Sequence, residues 1–361
     1  MTSEHSMVNG NNKHDAVIPD QQRALLYDKP GSISVSLDSI PVPKPGPGEI
    51  LINLTHSGVC HSDMAVMMQA WGDVAAGQVG GHEGVGTVAA FGSDTERYTL
   101  KIGERVGGRD GCCEAAKISG FGTPGTFQQY VVAPANYVTP IPDTLPSELA
   151  APILCGGVTV YSALKKSGAQ PGDSVVILGA GGGLGHLAVQ IGARVMGFRM
   201  IAVDIGEKQD FCKRCGAEIF FDLGAFSGKG GSGSLTSNIK KATFGGLGAA
   251  AVLVCAGSNA AYANALSYLK FSGTLVCVGV PKGDTQPIGG SDPGSMVSKE
   301  LRIVGSTVGN RKDACEIVEM AARRLVVPEI EIRPMSDLKS VFETMNKGGL
   351  QGRVIIDLNK S

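Results

Sequence analysis

The sequence predicts an α/β protein of two units, one mostly β and one built on a doubly wound parallel sheet. Three observations lead there. The chain of 361 residues is longer than a single hydrophobic core usually grows. Its first part reads as short β-type runs cut by Gly, Pro and Asp. Beyond Gln170-Pro171-Gly172-Asp173 it changes to continuous apolar runs that alternate with helix-like segments, the pattern of a parallel sheet covered on both faces.

In the first part, runs at 33–37, 49–57, 84–91, 105–107 and 127–132 read as strands, and the alternation of Ile50, Ile52 and Leu54 marks half-buried antiparallel pairing. Pro41, Pro43, Pro45 and Pro47 form a rigid approach to the strand that starts at Glu49. The second part gives a strand at 174–178, a helix at 184–196, a strand at 200–203, a helix at 207–215 and a strand at 219–222. Strands at 250–255 and 273–280 follow, with a helix at 260–269 between them. The Gly/Ser-rich stretch 226–237 reads as a flexible loop. After Gly309 come helices at 313–324 and 338–345 and a strand at 352–358, which look like a return to the first unit. The expected division is a flexible tail at 1–20, one unit at 21–172 plus 310–361, and a nucleotide-binding unit at 173–309.

Composition narrows the function. A net charge of −1 offers no electrostatic case for nucleic acid or an anionic membrane surface, so a small molecule is the expected partner. The polar opening residues lack the apolar centre of a signal peptide, and no run approaches the roughly 18 apolar residues of a membrane span. The nine cysteines therefore read as thiols and ligands rather than a disulfide framework, and the cytoplasm is the default location.

Two stretches carry metal-ligand chemistry. Gly58-Val-Cys-His-Ser-Asp63 presents Cys60, Gly81-His-Glu-Gly-Val-Gly86 presents His82, and Cys155 is a third candidate. Two thiolates and an imidazole suit zinc. Three protein ligands leave a fourth tetrahedral position open, as a catalytic site requires.

A third stretch, Gly179-Ala-Gly-Gly-Gly-Leu-Gly185, lies between the strand 174–178 and the next helix. Glycine at 179, 181, 182, 183 and 185, with Leu184, would let backbone N–H groups close on a pyrophosphate at a helix N-terminus. The strict G-x-G-x-x-G frame is not met, since one register starts on Ala180 and the other ends on Leu184. Context supplies the support: Asp204 ends the next strand about 20 residues on, where an acid binds the ribose 2′-hydroxyl. A carboxylate there repels a 2′-phosphate, and no Arg directly follows it, so NAD is favoured over NADP.

With both sites read, the chain resembles the zinc-dependent medium-chain alcohol dehydrogenase family, most closely its yeast-type fungal branch. The resemblance covers residues 24–358 and rests on the three stretches above, on Gly125-Thr-Phe-Gln-Gln-Tyr130, Ala151-Pro-Ile-Leu-Cys-Gly-Gly-Val-Thr-Val-Tyr161, Val304-Gly-Ser-Thr-Val-Gly-Asn-Arg311 and on Gly352-Arg353. The ligand set of two cysteines and one histidine is a match to the known alcohol dehydrogenase case. The resemblance implies a GroES-like catalytic unit beside the Rossmann unit, with Cys60, His82 and Cys155 on the catalytic zinc and Glu83 as an alternative ligand. It implies that Asp63 orients His82, that Ser62 takes the substrate hydroxyl proton, and that Trp71 lines the substrate pocket. His61 and Arg353 would face the pyrophosphate, Thr159 and Val280 the nicotinamide, and Lys208 the adenosine ribose. A homo-oligomer, dimer or tetramer, is implied as well.

Two departures stand out. The family usually has a lobe with four closely spaced cysteines on a structural zinc, whereas the corresponding interval holds only Cys112 and Cys113, so one zinc per subunit and no structural zinc are expected. Ala65 stands where yeast-type relatives place the last histidine of a proton relay, which leaves water as the expected proton route. Other candidates read as background: Cys212 and Cys215 as ordinary helix thiols despite their CxxC spacing, Cys255, Cys277 and Cys315 as buried packing groups, His56 as a core or edge residue, and His186 as a surface residue of the helix or a phosphate cap. Two rivals remain, a specialised aldehyde or ketone reductase of a fungal secondary-metabolite pathway and a degenerate NAD-binding regulatory protein. A metal-free reductase of the same fold has no use for Cys60, His82 and Cys155 together.

Overall fold

The computed structural model describes residues 17–108, 117–226 and 234–361. Most of the expected tail, Cys112, Cys113 and most of the glycine-rich loop lie outside the described residues.

The nucleotide-binding sheet has six parallel strands in the order Ile219–Asp222, Arg199–Asp204, Ser174–Leu178, Ala249–Val254, Leu269–Cys277, Arg302–Gly305. Every residue of Ser174–Leu178 and Ala249–Val254 is buried, because helices cover both faces; this is why the sequence there shows unbroken apolar runs instead of alternation. Strand order reverses between those two strands. The loop that leaves Ser174–Leu178 therefore opens into the crevice where a Rossmann sheet binds its ligand.

The other unit is organised on Glu49–Val59, which pairs antiparallel with Glu83–Phe91, Tyr130–Pro134 and Arg353–Asp357 in a seven-stranded sheet. Val354 lies opposite Val59, so the end of the chain is stitched back into the first unit. A three-stranded sheet of Ser36–Pro41, Gln21–Tyr27 and Gln78–Val79 packs nearby, and Phe127 meets Phe342 edge-on at 6.4 Å in the core between them.

The structure corrects several expectations. The strand expected at 33–37 is Ser36–Pro41, and the run at 127–132 becomes Tyr130–Pro134, because Phe127 turns fully into the core before the strand begins. Residues 235–237, expected in a loop, form the first turn of the helix Leu235–Ala242. One further element, at 147–166, has no counterpart among the elements expected from the sequence. Pro152, Gly156, Gly157 and the β-branched Val158, Thr159 and Val160 argue against a helix, yet the chain is helical throughout, with Ser147–Pro152, a π-turn at Ile153–Gly157 and Val158–Lys166. Burial of Ile153, Leu154, Val158, Val160 and Leu164 outweighs propensity. This run is long and apolar enough to cross a membrane, but 78% of it is buried inside the protein, which makes it a core helix. Its start packs on Glu49–Val59 and its end on Gly185–Arg194 and Arg311–Ala322. Val158–Lys166 and Arg311–Ala322 share the core of the six-stranded sheet although both lie outside 173–309.

Candidate metal centre and cofactor crevice

Three separate elements bring the metal-ligand candidates together. Cys60 caps the helix His61–Met67, His82 immediately precedes the strand Glu83–Phe91, and Cys155 sits in the π-turn Ile153–Gly157. A π-turn widens the helix locally and is common at functional sites. The donor atoms of Cys60, His82, Glu83 and Cys155 all lie within 4.8 Å of one another, and His82 Nε2 is 3.1 Å from Cys155 Sγ. Among the described residues no other group of three or more such side chains converges in this way.

Asp63 holds this arrangement with both carboxylate oxygens. Oδ2 accepts the Cys60 backbone N–H at 2.8 Å, and Oδ1 lies 2.6 Å from His82 Nδ1. That second contact turns Nε2 toward the thiols, the orienting partner a metal-bound imidazole needs. Glu83 is fully buried and reaches inward only because residue 58 is glycine, where any Cβ would overlap the Glu83 carboxylate. One Glu83 oxygen pairs with Arg353; the other has no hydrogen-bond partner. A buried, unpartnered carboxylate oxygen beside two thiols and an imidazole fits a donor set arranged around a cation.

The neighbouring charges set how tightly each donor holds its proton. Burial alone would lower the His82 pKa, but the charge and hydrogen bond of Asp63 outweigh it and push it up to about 10. The hydrogen bond from Cys155 holds Cys60 well below the ordinary thiol range, while the same bond and burial push Cys155 well above it. Burial raises Glu83, opposed by the Arg353 charge. A dication bound among these donors would displace the protons they hold.

Beside the cluster, Ser62, Val66, Trp71, His82, Ile118 and Phe121 line a small cavity. Ser62 Oγ lies 3.7 Å from Cys60 Sγ, and Trp71 is on the cavity wall. Neither Ile118 nor Phe121 belongs to a motif that marks it as a pocket residue. Their position depends on Gly120, whose φ of 81° and contact with the Gly81 backbone pin the segment next to His82; the Gly120-Phe-Gly122 pair was the available signal. Ala65 is half-buried on the same helix as Ser62 and carries no titratable group.

In the crevice, Gly179 has φ 81°, and a Cβ at Gly185 would overlap the Gly179 carbonyl, so the loop can double back against its helix only with glycine there. Asp204 Oδ2 accepts the Gly181 N–H at 2.8 Å and Oδ1 accepts that of Ile205 at 2.8 Å, with Lys208 Nζ 3.8 Å from Oδ1. The Lys208 stem lies over Gly181, Arg353 lies against Gly183, and Gly182 and Leu184 complete the turn into the helix Gly185–Arg194. Arg353 therefore touches both sites, reaching from the glycine loop to Glu83. Thr159 is buried on Val158–Lys166, His61 is exposed at its helix start, and Val280 is 62% exposed just beyond Leu269–Cys277.

Among the remaining candidates, His186 is not a surface residue: it is fully buried. Cys255, Cys277 and Cys315 are half-buried rather than buried, Cys255 just beyond the strand Ala249–Val254 and Cys277 at the end of Leu269–Cys277. Burial raises Cys212 to about 12 and Cys215 to about 11, which leaves both thiols unreactive.

A GroES-like unit that carries a cysteine–histidine–cysteine cluster against a Rossmann crevice defines a zinc- and NAD-type dehydrogenase. Comparison with known proteins agrees. Residues 46–143 match the alcohol dehydrogenase GroES-like domain family and residues 183–323 the zinc-binding dehydrogenase family. Alcohol dehydrogenase 2 of Emericella nidulans is 49% identical over 95% of this chain and 99% of its own, and the alcohol dehydrogenase of Schizosaccharomyces pombe is 38% identical over 95% and 99%. Among solved structures, the acetophenone reductase of Geotrichum candidum in complex with NAD superposes with a TM-score of 0.79 at 26% identity, covering 95% of this chain and 98% of that one. The alcohol dehydrogenase of Aeropyrum pernix gives 0.81 at 25% identity, over 93% and 99%. The chain belongs to the zinc-dependent medium-chain alcohol dehydrogenase family.

Proposed function

We propose that this protein interconverts an alcohol and the corresponding aldehyde or ketone with NAD, with one zinc held by Cys60, His82 and Cys155. The observation that carries this reading is the convergence of those donors, with Arg353 reaching from Glu83 beside them to Gly183 of the glycine loop. Zinc held there would supply Lewis acidity toward the substrate oxygen, and NAD in the crevice would supply the hydride acceptor. The chain's own residues do the rest. Asp63 keeps the His82 ring turned to the donor set, Glu83 stands by as an alternative ligand paired to Arg353, and Ser62 takes the hydroxyl proton. Trp71, Val66, Ile118 and Phe121 offer an apolar wall for the substrate's carbon skeleton.

Asp204 supports NAD over NADP, since a carboxylate at this strand end repels a 2′-phosphate. The proton leaves Ser62 through water, because Ala65 offers no acceptor. Ala65→His should raise the alcohol oxidation rate near neutral pH, approaching the lower end of the roughly 10² to 10⁴-fold that a positioned base contributes; an unchanged rate means the relay does not limit turnover.

The overall test is NADH formation by the zinc-loaded enzyme across aliphatic, benzylic and cyclic alcohols. Turnover on at least one class is expected, and no turnover with zinc and NADH both bound would favour a regulatory protein instead. Preference for bulky aryl ketones would favour the specialised reductase, a reading supported by Phe121 in the pocket wall and by the likeness to a protein named acetophenone reductase. The same reading places a homo-oligomer, dimer or tetramer, in the cytoplasm, which native mass measurement and localisation of a tagged chain would check.

A further inference from the structure

His186 has no part in the chemistry above, yet it is fully buried on the helix Gly185–Arg194, directly behind the glycine loop, and both ring nitrogens have partners. Nδ1 lies 2.9 Å from the Gly182 carbonyl, and Nε2 lies 3.3 Å from the backbone N–H of Glu329. A carbonyl can only accept and an N–H can only donate. Only the neutral ring with its proton on Nδ1 satisfies both. Burial, against the opposing pull of Gly182, lowers the pKa to about 4, so that form persists at neutral pH.

What His186 holds is the segment that returns to the catalytic unit. Gln190, one turn further along, exchanges two hydrogen bonds of 2.9 Å with the Val327 backbone, so two side chains of one helix clamp residues 327 and 329. The Glu329 carbonyl then accepts the Arg353 backbone N–H at 2.9 Å, and Gly352, at φ 66°, packs so closely on that carbonyl that a Cβ would overlap it. The Arg353 side chain turns back over Gly183. The contacts close a ring that runs from Gly182 through His186, Glu329 and Arg353 to Gly183.

We propose that His186 is a positioning residue for the dinucleotide: through Glu329 it sets Arg353 at a fixed place above the glycine loop, so that loop N–H groups and guanidinium meet one pyrophosphate together. The inference rests on the reading of this crevice as an NAD site. It gives an otherwise unused buried imidazole a role that neither the glycine motif nor the metal cluster supplies. A histidine that only filled space would have no need of two polar partners on opposite sides, one in each unit.

The test is a double-mutant cycle on NADH affinity with the zinc-loaded protein, using His186→Leu, Arg353→Gln and the pair. Loss of a buried, fully partnered group should raise the NADH dissociation constant about tenfold in the wild-type background. In the Arg353→Gln background the same change should cost less than about twofold, because the residue it positions is already gone. The KM for NAD should rise while the KM for the alcohol stays put. An equal loss in both backgrounds, or no loss in either, would overturn the proposal. Should His186→Leu fail to fold, His186→Asn retains a donor toward Gly182, removes the acceptor for Glu329, and decides the same cycle. Failure of the wild-type protein to bind NADH would instead sink the reading of the crevice, independently of His186.

Discussion

The metal cluster and the glycine loop reach their chemistry by opposite routes. The cluster is assembled from a helix cap, a strand start and a π-turn, over ninety residues apart in sequence, and depends on buried charge: Asp63, Glu83 and Arg353 are all at or near full burial. The loop is one contiguous strand, turn and helix, and it depends on backbone and on missing side chains. The contrast teaches that a site made of charges needs partners to orient its ligand atoms, while a site made of glycine needs above all that nothing intrude on its backbone, with Asp204 and Arg353 set around it. Damage should therefore separate cleanly between the two.

The most severe separation is expected from Cys155→Ser. It should abolish zinc retention and turnover, well beyond the roughly 10 to 100-fold typical of losing a supporting partner, while NADH titration still reports binding. Gly185→Ala is the mirror experiment. The added methyl would overlap the Gly179 carbonyl, so NADH binding should be lost while metal analysis still finds zinc. Loss of zinc in that variant would show that the two sites are one structural unit and not two.

Asp63→Asn probes the dependence on orientation. It keeps the shape and removes the charge that holds His82, and zinc affinity measured by chelator competition should fall by about 10 to 100-fold. An unchanged affinity would mean the thiols alone determine binding. The last effect concerns pH and stability rather than binding. The folded pKa of His186, about 4, lies below its unfolded value near 6.5, so the unfolded chain binds the extra proton between those limits. Stability from this group is complete above pH 6.5 and declines as pH falls toward 4, by up to about 3 kcal/mol. Denaturant melts of wild type and His186→Leu at pH 7 and pH 5 should show a smaller pH loss in the variant; equal losses would show that the ring does not titrate as its burial requires.

The same contrast explains what could be read in advance. The crevice was legible because its parts are local: the apolar strand 174–178, the glycines behind it and Asp204 at the next strand end carry their geometry in their order. Cys60 and His82 were legible from their glycine-flanked motifs and from the family resemblance. The helical setting of Cys155 was not, because Pro152, two glycines and a β-branched run signal anything but helix, and only burial between two units overrides them. Ile118 and Phe121 escaped notice because a cavity wall is formed by a fold-back that no periodicity announces. His186 was misplaced for the same reason, since its partner Glu329 is 143 residues away.

The central claim is that the two thiols and the imidazole hold the enzyme's one zinc. Zinc K-edge X-ray absorption on the purified protein tests it most directly. The account predicts a single environment of two sulfur and two nitrogen or oxygen ligands, with Cys155→Ser removing it. A spectrum dominated by four sulfurs, or a mixture that requires a second, all-sulfur zinc, would contradict it.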